Sequence, residues 1–238
     1  MRLVEQENNN SVRREMLEAI REHLAASAPF DRVHDEHHAQ HKINPRIVST
    51  VAHEQHASPL EHFRDALEAV AGHCLIVQSE TEAADLVRKM LAKISARRIA
   101  VSDSLLVGRV MARVRADAEV LVNASKSELF DCDAGITGAQ WAVAETGTLV
   151  LEADEERHRL ASLVPPVHIA LVEADKIRQT LGEVLQSLDE KGRDRLSRTI
   201  TFITGPSRTS DIELTLAIGV HGPGELFVII LNTVTSDK

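Results

Sequence analysis

Thr199-Ile200-Thr201-Phe202-Ile203-Thr204-Gly205-Pro206-Ser207-Arg208-Thr209-Ser210-Asp211-Ile212-Glu213 is the stretch that decides the fold. Its first six residues are rich in β-branched side chains, as a strand of a buried parallel sheet should be, and Gly205-Pro206 ends the run because proline cannot donate to a β ladder. Ser210 and Glu213 then stand in the S-x-x-E spacing of a capping box before Leu214, Leu216, Ala217 and Ile218, which predicts a helix from about Ser210. Strand, tight turn and helix start form the unit from which open α/β sheets build ligand crevices. In that arrangement the amides of Ser207 to Thr209 lie beside the positive end of the helix with Arg208 adjacent, a site for a phosphate or a carboxylate. The alternative is that Asp211 and Glu213 already satisfy the helix dipole and that Arg208 pairs with one of them.

Upstream, Ala144-Glu145-Thr146-Gly147-Thr148-Leu149-Val150-Leu151 sets a carboxylate in an otherwise neutral run. Glu145 follows the apolar Trp141-Ala142-Val143-Ala144, so the chain is expected to bend at Gly147 between two strands that bury their apolar residues. Two readings of Glu145 stay open. A partly desolvated carboxylate suits a general base or a nucleophile. Equally, its oxygens could only accept hydrogen bonds from backbone amides of its own turn.

Working outward, Leu60 to Ala71 is predicted helical, Cys74-Leu75-Ile76-Val77 a strand, Ala83 to Ile94 a helix, Arg98-Ile99-Ala100-Val101 a strand and Leu105 to Ala116 a helix. Strands are expected at Val120-Leu121-Val122, Gln140 to Ala144, Thr148 to Leu151 and Val167 to Val172, then a helix from Lys176 to Leu188 and a closing strand from Leu226 to Leu231. This alternation assigns the α/β class, with a largely parallel sheet covered by helices on both faces. Ser162-Leu163-Val164-Pro165-Pro166 reads as scaffold, because two prolines fix an extended entry to the strand that follows. Ahead of the α/β body, Ser11 to Ala26 carries Val12, Met16, Ala19, Ile20 and Leu24 at helical spacing, and a polar, histidine-rich segment runs on to Pro59. Residues 1–59 are therefore expected to be an N-terminal helix and arm, and residues 60–238 the α/β domain. The apolar stripe of Met16, Ile20 and Leu24 calls for a partner surface, either a second copy of the chain or another subunit.

Composition narrows the function. Over 238 residues there are 27 basic against 36 acidic side chains, a formal charge of −9, with 3% aromatic residues and no tyrosine. Nucleic-acid surfaces need basic grooves and stacking rings, so that class is not expected. No apolar run reaches the roughly 20 residues of a membrane span and no charged-then-apolar leader opens the chain, so a cytoplasmic protein without membrane contact is expected. There is no G-x-G-x-x-G after a strand and no G-x-x-x-x-G-K-[ST], which leaves dinucleotides and nucleoside triphosphates without their familiar loops.

Five motifs occur in one order along the chain. They are Asp133-Ala134-Gly135-Ile136-Thr137-Gly138-Ala139, Ala144 to Thr148, Leu163-Val164-Pro165-Pro166-Val167-His168-Ile169, Gly205 to Glu213, and Gly219-Val220-His221-Gly222-Pro223. In order and spacing this set, spanning about Leu60 to Leu231, resembles the LUD domain. The resemblance implies a fold like that of the CoA transferases and sugar-phosphate isomerases (NagB/RpiA/CoA transferase-like). It also implies a place in bacterial oxidation of L-lactate to pyruvate, beside partner subunits that carry iron–sulfur clusters. Across the motifs the candidate ligand-binding residues are Thr137, Thr146, Gly147, Thr148, Gly205, Ser207, Arg208, Thr209, His221 and Gly222, with Glu145 the candidate catalytic group. His221, in a glycine-flanked turn, is either a ligand contact or a hydrogen-bonded turn histidine.

The cysteines bear on the cofactor. A [4Fe–4S] cluster normally needs four thiolates in clustered spacing, whereas this chain has only Cys74 and Cys132, far apart in sequence. No cluster is expected on this chain alone, and both thiols read as inert and reduced. His34, His37, His38 and His41 would share one face of a helix, a spacing compatible with zinc, nickel or copper, but their polar surroundings read as a solvated stretch and no metal is assigned. Arg157, His158 and Arg159 form a small basic patch that neighbouring Glu152, Asp154, Glu155 and Glu156 largely offset. Two functions follow. In one, the chain is a non-redox subunit of a lactate-oxidising assembly with a small-carboxylate or phosphate pocket. In the other, it is a stand-alone enzyme of CoA transferase-like or sugar-phosphate isomerase-like type that uses Glu145 as base or nucleophile.

Overall fold

The computed structural model describes residues 58–122, 124–154, 159–192, 195–210, 216–219 and 221–233, together with residue 18. The expected helix over Ser11 to Ala26, the histidine-rich arm and Arg157 and His158 of the basic patch lie outside the described residues.

Each described α-helix begins on a serine or threonine that occupies an otherwise orphaned amide. Ser58 caps α1 (Pro59–Ala69), Ser79 caps α2 (Glu80–Lys93), Ser104 caps α3 (Leu105–Met111), Ser125 caps α4 (Lys126–Phe130) and Thr180 caps α5 (Leu181–Glu190). In every case the side-chain oxygen accepts from the amide three residues on, a device worth about 1 kcal/mol per helix.

The strands are β1 (His73–Val77), β2 (Arg98–Val101), β3 (Glu119–Val122), β4 (Ala134–Gly138), β5 (Trp141–Val143), β6 (Thr148–Glu152), β7 (Val167–Glu173), β8 (Ile177–Arg178), β9 (Ile200–Thr204), β10 (Arg208–Ser210), β11 (Leu216–Ile218) and β12 (Glu225–Leu231). Six of them form one sheet in the order β1-β12-β7-β4-β2-β3, and every neighbouring pair in it is parallel. Because both faces of such a sheet are covered, its strands read as continuous apolar runs. Alternate side chains serve the two faces. Ile136, Ile169, Leu171, Ile229 and Leu231 pack under α2 and α3, while Ala170, Val172, Leu226, Val228 and Ile230 pack toward α1 and β6. Full burial of Ile136, Ile169 and Ile229 contributes about 1.5–3 kcal/mol each.

The α/β class with a parallel sheet flanked by helices holds, and the second face adds a layer that was not expected. Beside α1 it is covered by a four-stranded sheet in the order β8-β5-β6-β9, in which β6 runs antiparallel to both β5 and β9. The Thr199 to Thr204 run is thus a strand, but of this smaller sheet and not of the parallel one. Where the helix was expected from Ser210, the described residues are strand instead: Arg208–Ser210 and Leu216–Ile218 pair antiparallel, so the local capping-box pattern yields to a β pairing made after the Gly205 turn, and residues 211–215 lie outside the described residues. The helix expected from Lys176 begins at Leu181, because Ile177 and Arg178 are held as a strand against Ala142 and Val143.

Two glycines fix the junctions. Gly147 turns the β5–β6 hairpin at φ +62, and a Cβ there would lie 2.4 Å from the Leu67 amide nitrogen of α1. Gly135 lets the 3-10 turn Arg159–Ser162 press its Ala161 carbonyl onto β4, where a Cβ would stand 1.7 Å away.

Candidate functional site

Of three cavities, one of about 530 Å³ between β1 and α2 is lined by none of the candidate site residues, and the other two stand at opposite ends of the parallel sheet. The larger, about 550 Å³, opens beyond the carboxyl ends of β2, β4 and β7 and is lined by Asp103, Ser104, Arg109, Gly138, Gln140, Trp141, Glu173 and Lys191 among others. From β2 the chain turns to α3 on one face, and from β4 it turns to β5 on the other. Such a switch point is where open α/β sheets form crevices. Its cations are already engaged. Arg109 meets Glu80 at 2.6 Å and Glu173 at 3.0 Å, Lys176 meets Asp175 at 3.2 Å, and Lys191 Nζ lies 2.6 Å from the buried Glu152 carboxylate. The Arg178 guanidinium stacks over the Trp141 ring at 4.6 Å. Gly138 and Ala139 of the first motif line this crevice, but none of the candidate catalytic or ligand-binding residues does.

The smaller cavity, about 220 Å³, lies near the start of β7 and the end of β9 and collects several of them. Gly205 and Ser207 of the turn after β9 meet His221 and Gly222 of the Gly219 to Pro223 turn, with Ser162, Leu163, His168, Phe202, Thr204 and Leu226 completing the wall. The two turns are tied together by backbone: Ser207 donates its amide to the Pro223 carbonyl at 2.8 Å, and Gly219 donates to the Ser207 carbonyl at 3.0 Å. The Ser207 amide is therefore engaged. Ser210 itself lies in a strand, so among the described residues no helix begins there to back the loop with its dipole.

The remaining candidates spread around this cavity. Thr146, Thr148 and Thr204 form a line of hydroxyls with successive O···O separations of 2.7 Å, which links the β5–β6 turn to the cavity wall at Thr204. Thr137, fully buried on β4, approaches the cavity through His168, whose Nε2 is 2.8 Å from Thr137 Oγ1. Arg208 is exposed and donates to the Val70 carbonyl at the end of α1 at 2.7 Å. Thr209 lies on β10 opposite Ala217. Glu145 is elsewhere: its Oε1 accepts the Leu181 amide at 2.7 Å at the start of α5, and it is not among the residues lining either cavity.

His168, within the Leu163 to Ile169 motif, and Ser162, at the start of the proline stretch, were not among the candidate site residues. His168 is 1% exposed, and burial pushes its pKa down to about 3, so the imidazole is neutral. Its Nδ1 has no hydrogen-bond partner, which leaves a buried polar atom unsatisfied at a cost of about 1–3 kcal/mol. The sequence signal was a lone histidine in the otherwise apolar run Val167 to Val172. The arrangement offers a small ligand neutral donors and acceptors beside an apolar wall of Leu163, Phe202 and Leu226.

Both thiols are chemically quiet. Burial pushes Cys74 up to about 12, and Cys132 is also raised by burial while its Sγ donates to the Glu128 carbonyl at 3.3 Å. They belong to different packing groups, Cys74 beside α1 and Cys132 beneath α4. Among the described residues no group of three or more histidine, cysteine, aspartate or glutamate side chains is placed to hold a metal ion, and no helix is long and apolar enough to cross a membrane.

Comparison with known proteins places these features in a family. The LUD domain model matches residues 60–231. An uncharacterized protein of Neisseria meningitidis serogroup B is 33% identical over 175 residues, which cover 72% of this chain and 66% of that one. The lactate utilization protein C of Deinococcus radiodurans is 43% identical over 110 residues, covering 45% of this chain and 50% of its own, and that of Halalkalibacterium halodurans is 40% identical over 102 residues, covering 42% and 44%. The chain thus matches about half the length of these named relatives. The crystal structure of a DUF162 family protein from Deinococcus radiodurans superposes with a TM-score of 0.57 at 27% identity, covering 74% of this chain and 97% of that one.

Proposed function

This chain belongs to the LUD domain family, and from that premise we propose that it serves lactate utilization as a non-redox, cytoplasmic component of an L-lactate to pyruvate oxidation system. In this reading partner subunits carry the iron–sulfur clusters, and this chain holds a small carboxylate in the cavity between the Gly205 and His221 turns. The observation that carries the reading is the match to proteins named lactate utilization protein C, one of them at 43% identity. A [4Fe–4S] cluster needs four thiolates, and two thiols in separate packing groups do not supply that number.

The geometry of Glu145 favours this over a stand-alone enzyme of CoA transferase-like type. A nucleophilic carboxylate must reach its substrate, whereas Glu145 Oε1 is committed to the first amide of α5. Its role is to anchor the β5–β6 turn to that helix.

Deleting the gene in the host bacterium tests the role. Growth on L-lactate as sole carbon source should fail, growth on pyruvate should persist, and a plasmid copy should restore the first. Unimpaired growth on lactate would remove the chain from that process.

A further inference from the structure

The small cavity contains a device that the motif residues alone do not explain. His168 and Thr137 form a buried pair, Nε2 to Oγ1 at 2.8 Å, and His168 lines the cavity with its Nδ1 unpartnered. A hydroxyl hydrogen needs an acceptor, and among the described residues His168 Nε2 is the hydrogen-bond partner of Thr137 Oγ1. Thr137 therefore donates, Nε2 accepts, and the ring proton sits on Nδ1. Close by, Ser162, 1% exposed, gives its hydroxyl proton to the Arg159 carbonyl at 2.6 Å, so toward the cavity its oxygen is an acceptor.

We infer that His168 Nδ1–H and Ser162 Oγ are a fixed donor and acceptor pair for a short-chain 2-hydroxy monocarboxylate, His168 donating to a carboxylate oxygen and Ser162 accepting from the ligand hydroxyl. Size and polarity agree. A cavity of about 220 Å³ falls below the roughly 300–1,000 Å³ of pockets that take larger ligands, so a nucleotide or a coenzyme A thioester does not fit inside it. Among the described residues no lysine or arginine lines the cavity, and burial keeps His168 uncharged, so a phosphate dianion would bring more charge than a monocarboxylate into a site with no fixed cation. The apolar wall of Leu163, Phe202 and Leu226 suits a short alkyl chain. The inference rests on the small-carboxylate reading above and adds which atoms recognise the ligand.

The test uses the full chain and needs no variant for its first arm. Long-range proton–nitrogen NMR on ¹⁵N-labelled protein should show His168 as the Nδ1–H tautomer in the free state, with its Nδ1 resonance moving saturably on addition of sodium L-lactate and staying still on addition of inorganic phosphate. His168→Phe, which keeps the ring volume and removes the donor, should weaken L-lactate at least tenfold by calorimetry. Ser162→Ala should weaken L-lactate several-fold while leaving pyruvate, which has no hydroxyl to donate, unchanged. An Nε2–H tautomer, no response to L-lactate, tighter binding of phosphate, or equal loss of pyruvate in Ser162→Ala would overturn the inference. If His168→Phe does not fold, the wild-type titration and Ser162→Ala decide. Should lactate bind as described while the deletion strain grows normally on lactate, the cellular role falls and the site stands; should binding fail while growth depends on the gene, the site falls and the role stands.

Discussion

Glu145 Oε1 accepts the backbone N–H of Leu181 at 2.7 Å, so a carboxylate from the β5–β6 turn closes the first amide of a helix that begins 36 residues later in the chain. Negative charge at a helix start also meets the positive end of the peptide dipole. Glu145→Ala should therefore lower unfolding stability by about 1.5–3 kcal/mol, the scale of a hydrogen bond to a charged group, and Glu145→Gln by less. Urea titrations of the three proteins check this. If Glu145→Gln is as damaging as Glu145→Ala, the acceptor geometry is not what matters.

Gly147 gives a stronger expectation. Its φ of +62 already disfavours a side chain, and a Cβ would fall 2.4 Å from the Leu67 nitrogen, where backbone must move to make room. Gly147→Ala should cost at least about 1–3 kcal/mol from the dihedral alone, with the overlap adding to it. A melting temperature within about a degree of wild type would mean that the turn and α1 separate easily.

Much of this was legible in the sequence, for reasons that differ by element. Ile99-Ala100-Val101, Ile169 to Val172 and Leu226 to Leu231 are apolar throughout because a sheet covered on both faces buries alternate residues in both directions, and all three lie in strands of it; Leu75-Ile76-Val77 is a strand of the same sheet at its edge, where Ile76 is exposed. Thr199 to Thr204 carried a different signal. Its threonines alternate with Ile200, Phe202 and Ile203, and β9 accordingly lies half-buried in the smaller antiparallel sheet. The S-x-x-E spacing at Ser210 misled because a capping box is a local preference that tertiary pairing overrides, whereas the same spacing at Ser125 and Glu128 does open α4 with both reciprocal bonds formed. His168 was quoted within a motif but given no site role, because a lone histidine in an apolar strand reads as a packed core residue; the burial of an unpartnered Nδ1 distinguishes it.

The buried histidine makes stability depend on pH. His168 titrates near its ordinary value of 6.5 when unfolded and at about 3 when folded, so between those values the unfolded chain binds a proton that the folded chain does not. Stability is then full above about pH 6.5 and falls as the pH drops toward 3. Asp133 and Glu128, both held below their ordinary carboxylate values, add their own losses only at the acid end of that range. Between pH 7 and 5, His168→Phe should show a shallower decline than wild type in urea midpoints. Parallel declines would place the proton uptake on another group.

The thiols supply an independent check on the non-redox role. With Cys74 pushed up to about 12 and Cys132 also raised by burial, neither supplies much thiolate at pH 8. Native protein should react slowly with iodoacetamide and both cysteines should react promptly in denaturant. Fast native labelling would show an activated thiol that the packing does not explain.

The central claim is that this chain takes part in lactate oxidation without carrying the electrons. Anaerobic reconstitution of L-lactate oxidation from purified iron–sulfur subunits, with and without this chain and with an artificial acceptor, tests it most directly. The account predicts that the isolated chain is colourless and inactive, and that adding it in stoichiometric amount raises pyruvate formation severalfold. Full activity without the chain, or lactate-reducible iron–sulfur absorption in the chain alone, would contradict it.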